Sequence, residues 1–279
     1  MNRKVRQSGK ATVRKPSLLE RIGLSRRGWT ALIAAVLLLS ICGWIGADYW
    51  VVAPDNIEKQ FVGRSSCIQC HQKQAKLYKG SHHDLAMDHA STKSVLGDFD
   101  NAEFTHHGVK SKLYRRDGKF LADTEGPDGK MGTFEIKYVL GVKPLQNYMV
   151  EFDPPKDAKS GEVGRLQVLR ITWDSIKKKW FYLPPPDVSE KLAHNDELHW
   201  TGIGQRWNTM CAECHSTNVK KNFDHQSLTY RTSFSEIDVS CESCHGPGSL
   251  HVKLARKLSL FWDRKHGYGL AKLKDKHNS

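Results

Sequence analysis

Cys-x-x-Cys-His occurs three times in this chain, at Cys67/Cys70/His71, Cys211/Cys214/His215 and Cys241/Cys244/His245. Two thiols three positions apart can form thioethers to the two vinyl groups of one porphyrin, and the imidazole that follows can bind the iron. Paired Cys-x-x-Cys units also suit zinc. A His directly after the second Cys in every copy is a regularity that haem requires and zinc does not. The motifs therefore predict three covalently attached haem c groups, held by Cys67, Cys70, Cys211, Cys214, Cys241 and Cys244, with His71, His215 and His245 as proximal ligands.

The ligand on the far side of each iron separates electron transfer from catalysis. Two strong protein ligands close an iron, and an empty position opens it to substrate. Eleven further histidines are available. His251 leads, because the Gly246-Pro247-Gly248 turn after His245 can send the chain back toward a neighbouring haem. His83 follows, with His82 beside it. His199 and the pair His106-His107 are weaker candidates, whereas His225, His266 and His277 read as solvent histidines. Met87 and Met210 could bind iron, although core packing is the plainer role. Trp173, Trp200 and Trp207 could pack on porphyrin or serve as ordinary core aromatics. No Ser/His/Asp triad, phosphate loop or dinucleotide fingerprint is present.

The elements that position these groups begin with a basic cytoplasmic tail, 1–28, and a transmembrane signal anchor, 29–50. Residues 29–47 hold no charge, long enough to cross a bilayer. The basic residues precede them, which keeps that end in the cytoplasm and sends the remainder outside. A cleaved signal peptide is the rival reading, but no clear cleavage site follows. Cys42, inside the apolar run, is left for membrane packing. The formal charge is +13, yet residues 1–28 carry nine Lys/Arg and one Glu, so only +5 falls on the rest. Three haems would add about six propionate charges to that remainder. Nucleic acid is therefore not an expected partner.

A first haem-binding segment, 51–98, should carry a helix that leaves His71 and ends at the histidine cluster. Over 99–188 the stretches KLYRRDGKFLADT, TFEIKYVLGV, LQNYMVEF, RLQVLRITW and KKWFYLPP alternate with strand period. Asp117-Gly118 marks a hairpin turn. Residues 189–279 form the second and third haem-binding segment, where motifs that start thirty residues apart should set two haems side by side. The expected fold class is α+β: a haem-wrapped, mostly helical and irregular multihaem region with an inserted small antiparallel β-sheet and one N-terminal transmembrane helix.

CIQCH followed by LYKGSHHDLAM, the segment HWTGIGQRWNTMCAECHSTN, and SEIDVSCESCHGPGSLH resemble the multihaem cytochromes of the cytochrome c-554 family. The likeness covers most of residues 60–255. It implies periplasmic electron transfer through closely packed, mostly bis-histidine haems, with His83 and His251 as distal ligands. Some relatives of this type continue into a further haem motif or tetratricopeptide repeats, whereas this sequence ends in GLAKLKDKHNS.

The expected function is that of a trihaem electron carrier on the inner, cytoplasmic membrane. Its single span would hold the C-terminal region in the periplasm, between redox donor and acceptor proteins. One alternative is a multihaem oxidoreductase with an open haem acting on a small nitrogen or sulfur compound. Another is a truncated or partner-dependent subunit of a larger multihaem complex.

Overall fold

The computed structural model describes residues 25–50, 57–159, 161–256 and 269–270. Most of the basic tail, His266, His277 and the C-terminal residues lie outside them. Helix α1, Arg26–Trp50, is long and apolar enough to cross a membrane, and none of its residues is buried against the rest.

A nine-stranded antiparallel sheet dominates the remainder. Its strands are β1 Met87–His89, β2 Ala102–His106, β3 Val109–Arg116, β4 Lys119–Glu125, β5 Met131–Leu140, β6 Leu145–Phe152, β8 Arg165–Val168, β9 Ile171–Asp174 and β10 Lys179–Tyr182, while β7, Glu162–Val163, pairs instead with Thr232–Ser233. The order runs β10-β9-β6-β5-β4-β3-β2, with β1 on β5 and β8 on β6. Asp117 and Gly118 take positive φ values of 52° and 75° at the β3–β4 turn, the backbone a tight hairpin demands. The sheet curls until its ends meet: His106 on β2 stacks on Tyr182 of β10, with ring centroids 4.0 Å apart.

The five alternating stretches all form strands, but the expected proportions of the fold are wrong. The sheet is not a small insert in a mostly helical, haem-wrapped chain. It is the largest element, and its β1 comes from the segment assigned to the first haem. Among the described residues the α-helices beyond α1 are four to seven residues long. A haem motif needs about one helical turn to bring its two cysteines and histidine together, so it specifies no longer helix.

The helix after His71 shows this. It covers Gln72–Tyr78 (α3) and stops, because Gly80 turns at φ 78° and its N–H is taken by the Asp84 carboxylate at 2.8 Å. The histidine cluster therefore sits in turns, and the chain enters β1 immediately afterwards.

Two cores result. Inside the curled sheet, alternate residues Leu113, Phe120, Ala122, Ile136, Tyr148, Val150, Ile171 and Trp173 pack around Phe99. On the outer face Tyr138, Leu140, Met149, Leu166 and Val168 meet Met87, Trp207 and Ala212. A register shift between Ile136 and Tyr138 makes the second core possible. The extra residue reverses the alternation, so Val139 faces inward and Tyr138 and Leu140 outward.

Candidate haem sites

The first motif lies on α2, Arg64–Ile68, and the turn after it. The second is carried by α4, Trp207–Met210, and α5, Ala212–His215. The third occupies α6, Cys241–His245, followed by α7, Ser249–Ala255. None of the six motif cysteines forms a disulfide.

The second motif docks on the sheet. Trp207 and Ala212 are buried in the outer core, and Asn208 completes the join. Its Oδ1 accepts the Leu166 N–H at 2.9 Å, and its Nδ2 donates to the Gly164 carbonyl and to Thr232 Oγ1. His215 Nδ1 lies 3.2 Å from the Ala86 carbonyl, just before β1. Donation to that oxygen places the ring proton on Nδ1 and leaves Nε2 to bind a metal, the orientation a proximal histidine needs.

The third motif joins the other two through its two variable positions. Glu242, only 3% exposed, accepts the Val62 and Gly63 N–H groups at 3.0 and 2.8 Å, and that of Gly248 at 2.7 Å. One carboxylate thus ties the segment entering the first motif to the turn leaving the third. Ser243 Oγ lies 2.7 Å from Thr217 Oγ1, two residues past His215. The short tether does bring the second and third motifs together, and the first joins them: Cys67 and Cys241 line the same pocket. Burial first, and Cys241 second, push the Cys67 thiol up to about 11. Burial and then Cys214 push Cys211 up to about 11.

A charge cluster holds the same junction. Arg64 pairs with Asp84 and Glu236, each at 2.9 Å, and with Asp238. Burial opposes the Arg64 charge, but Asp238 and Glu236 hold the guanidinium well above its usual range. Asp238 is itself raised by burial, with Arg64 pulling the other way. Tyr78 donates to the Val239 carbonyl at 3.0 Å, and the Val239 N–H reaches the His83 carbonyl.

These links border an open pocket of about 210 Å³ between the first and third motifs. Cys67, His71, Cys241, Cys244, His245 and His83 line it. His82 is exposed and does not. The His251 ring is set beside His71, with centroids 6.0 Å apart and planes 26° apart.

Other candidates fall elsewhere. Met87 is core, with Ser216 Oγ 3.6 Å from its sulfur, and Met210 is 62% exposed. Trp173, Trp200 and Trp207 are buried core aromatics. His106, His107 and His199 line a separate cavity at the sheet. Among the described residues no three His, Cys, Asp or Glu side chains are grouped to hold a bare metal ion.

Glu242 and Arg64 were not apparent from the motifs, since nothing in Cys-x-x-Cys-His specifies the x positions. The acidic Glu236 and Asp238 just ahead of Cys241, with Arg64 three residues before Cys67, are the signal that could have found the charge cluster.

No curated protein matches the sequence. The crystal structure of the outer cell wall cytochrome OcwA aligns at 19% identity, with a TM-score of 0.44, over 78% of this chain and 36% of that one. The chain thus spans about a third of that protein. The family model described as cytochrome c554 and c-prime matches residues 66–113 and 183–246, stretches that hold all three motifs and leave out 114–182, most of the sheet. With the cysteine and histidine geometry above, these stretches mark a c-type cytochrome similar to the cytochrome c554 family.

Proposed function

We propose that the chain is a three-haem electron carrier anchored in the cytoplasmic membrane by α1, with its haem region in the periplasm. The spacing of His71 and His251 carries the reading. Their ring centroids are 6.0 Å apart, farther than the roughly 4 Å of rings in direct contact. His71, as the motif ligand, and His251, as the distal one, would hold one haem iron between them.

His83 lines the same cavity as His245 and is the distal ligand we assign to the third haem. His215, oriented by the Ala86 carbonyl, is the proximal ligand of the second. Haem bound there supplies one-electron redox chemistry. The chain's part is to fix ring orientations, shut water from the irons and hold three groups close enough for electrons to pass. Glu242 and Ser243 supply the last function, since each bonds the third motif to one of the others.

Redox donor and acceptor proteins are the implied partners, and a multihaem complex is the implied setting. The domain division follows the same plan: tail 1–28, anchor 29–50, haem segments 51–98 and 189–279, with the β-rich region 99–188 between them.

The test is a haem count by pyridine haemochrome, with intact mass, on protein matured in a haem-attaching host. Three haems per chain are expected, and two after Cys211→Ala/Cys214→Ala. A count other than three in the parent, or no loss in the variant, contradicts the assignment.

A further inference from the structure

The curled sheet holds a pocket of its own, of about 60 Å³, on residues that the haem assignment does not use. Much of its wall is apolar, with Phe104, Leu169, Ile171 and Trp200 among the contributors. Arg170 also lines it and is only 6% exposed. Its Nε donates to the Leu198 carbonyl at 2.8 Å and its Nη1 to the Leu183 carbonyl at 3.0 Å.

Among the described residues no carboxylate forms an ion pair with this guanidinium. Glu125, on the same wall, is held by Lys191 at 2.6 Å. Asp196 acts on Arg170 only through space while accepting the Leu198 N–H. A cation withdrawn from water without a counter-charge is costly, and such groups are normally paired.

Two histidines share the cavity. His106 stacks on Tyr182, and its Nε2 is buried without a hydrogen-bond partner. His199 is buried, with Nδ1 2.7 Å from Thr201 Oγ1. Burial lowers the proton affinity of both, which favours neutral rings able to act as hydrogen-bond donors. An uncompensated guanidinium and an unused buried nitrogen inside an apolar cavity are the complement of an amphiphilic anion.

We propose that this cavity binds a small organic carboxylate, with its anionic head on Arg170 and the Nε2 of His106 and its apolar body against Phe104 and Trp200. The site does not depend on the haem assignment.

Titration calorimetry on the full haem-loaded chain in lipid nanodiscs tests it, with benzoate as the probe and benzamide as its neutral isostere. Benzoate should bind one per chain, at least tenfold tighter than benzamide. Arg170→Gln should weaken benzoate at least tenfold while leaving benzamide unchanged. His106→Phe, which keeps a ring on Tyr182 and removes the buried nitrogen, should weaken benzoate severalfold, and it serves as the test if Arg170→Gln fails to fold. Failure of benzoate to bind, equal affinity for benzoate and benzamide, or unchanged benzoate affinity in folded variants overturns the proposal.

Discussion

The curled sheet and the motif junction are built on opposite principles. The sheet buries its own side chains: Leu113, Tyr148 and Trp173 pack in its interior. At the junction the helices are one or two turns long, the cysteines lie partly or fully exposed, and polar cross-links do the joining. Arg64 gathers three carboxylates, and Glu242 gathers three backbone N–H groups. The shape of the junction is therefore set by a few directional bonds. The sheet then serves as a rigid base, because the outer core fixes Trp207 and Ala212, and with them the second motif.

Damage to each region should stay in that region. The largest effect is expected from Leu113→Ala, which leaves a void in the inner core and should cost about 2–5 kcal/mol. Hydrogen exchange should show lost protection across β3 to β6, with haem content unchanged. Next comes Glu242→Ala. It strips the partner from the N–H groups of Val62, Gly63 and Gly248 and should cost about 1–3 kcal/mol. Here protection should fall at those amides and not in the sheet. Equal loss in both regions from either variant would show that they unfold as one.

The smallest effect sharpens the contrast through pH. Asp238 has its carboxyl raised by burial, so across the window from the ordinary carboxylate range, near pH 4, up to its raised value the folded chain holds a proton that the unfolded chain releases. Stability contributed by this group is complete below the window and falls as pH rises through it. Glu135, on β5, has the opposite sign: burial would raise it, but Lys137 and Lys119 hold it below the usual range. Its contribution is present above that range and is lost on acidification. Thermal unfolding of Asp238→Asn against pH should therefore lose the falling component and keep the rise due to Glu135. An unchanged profile would remove Asp238 from the junction's energetics.

Much of this was legible one stretch at a time. The alternation in TFEIKYVLGV and LQNYMVEF named strands that exist, and Asp117-Gly118 named a turn that exists, because strand period and tight turns are local properties. The Cys-x-x-Cys-His motifs were legible for the same reason. Hidden were the pairings between distant residues: His106 against Tyr182, which curls the sheet, and Glu242 against Val62 and Gly63, which joins two motifs. The register shift after Ile136 was hidden too, since one extra residue leaves no mark on composition. Expectation of a mostly helical fold failed because haem motifs were credited with longer helices than their chemistry needs.

The most direct measurement on the haem assignment is a reduced-minus-reduced-plus-carbon-monoxide difference spectrum of the full haem-loaded chain and of His251→Ala. If His251 closes the iron bound by His71, the variant gains one carbon-monoxide-binding haem per chain over the parent, with the haem count unchanged. Identical spectra from the two proteins would show that the ring standing 6.0 Å from His71 is not an iron ligand.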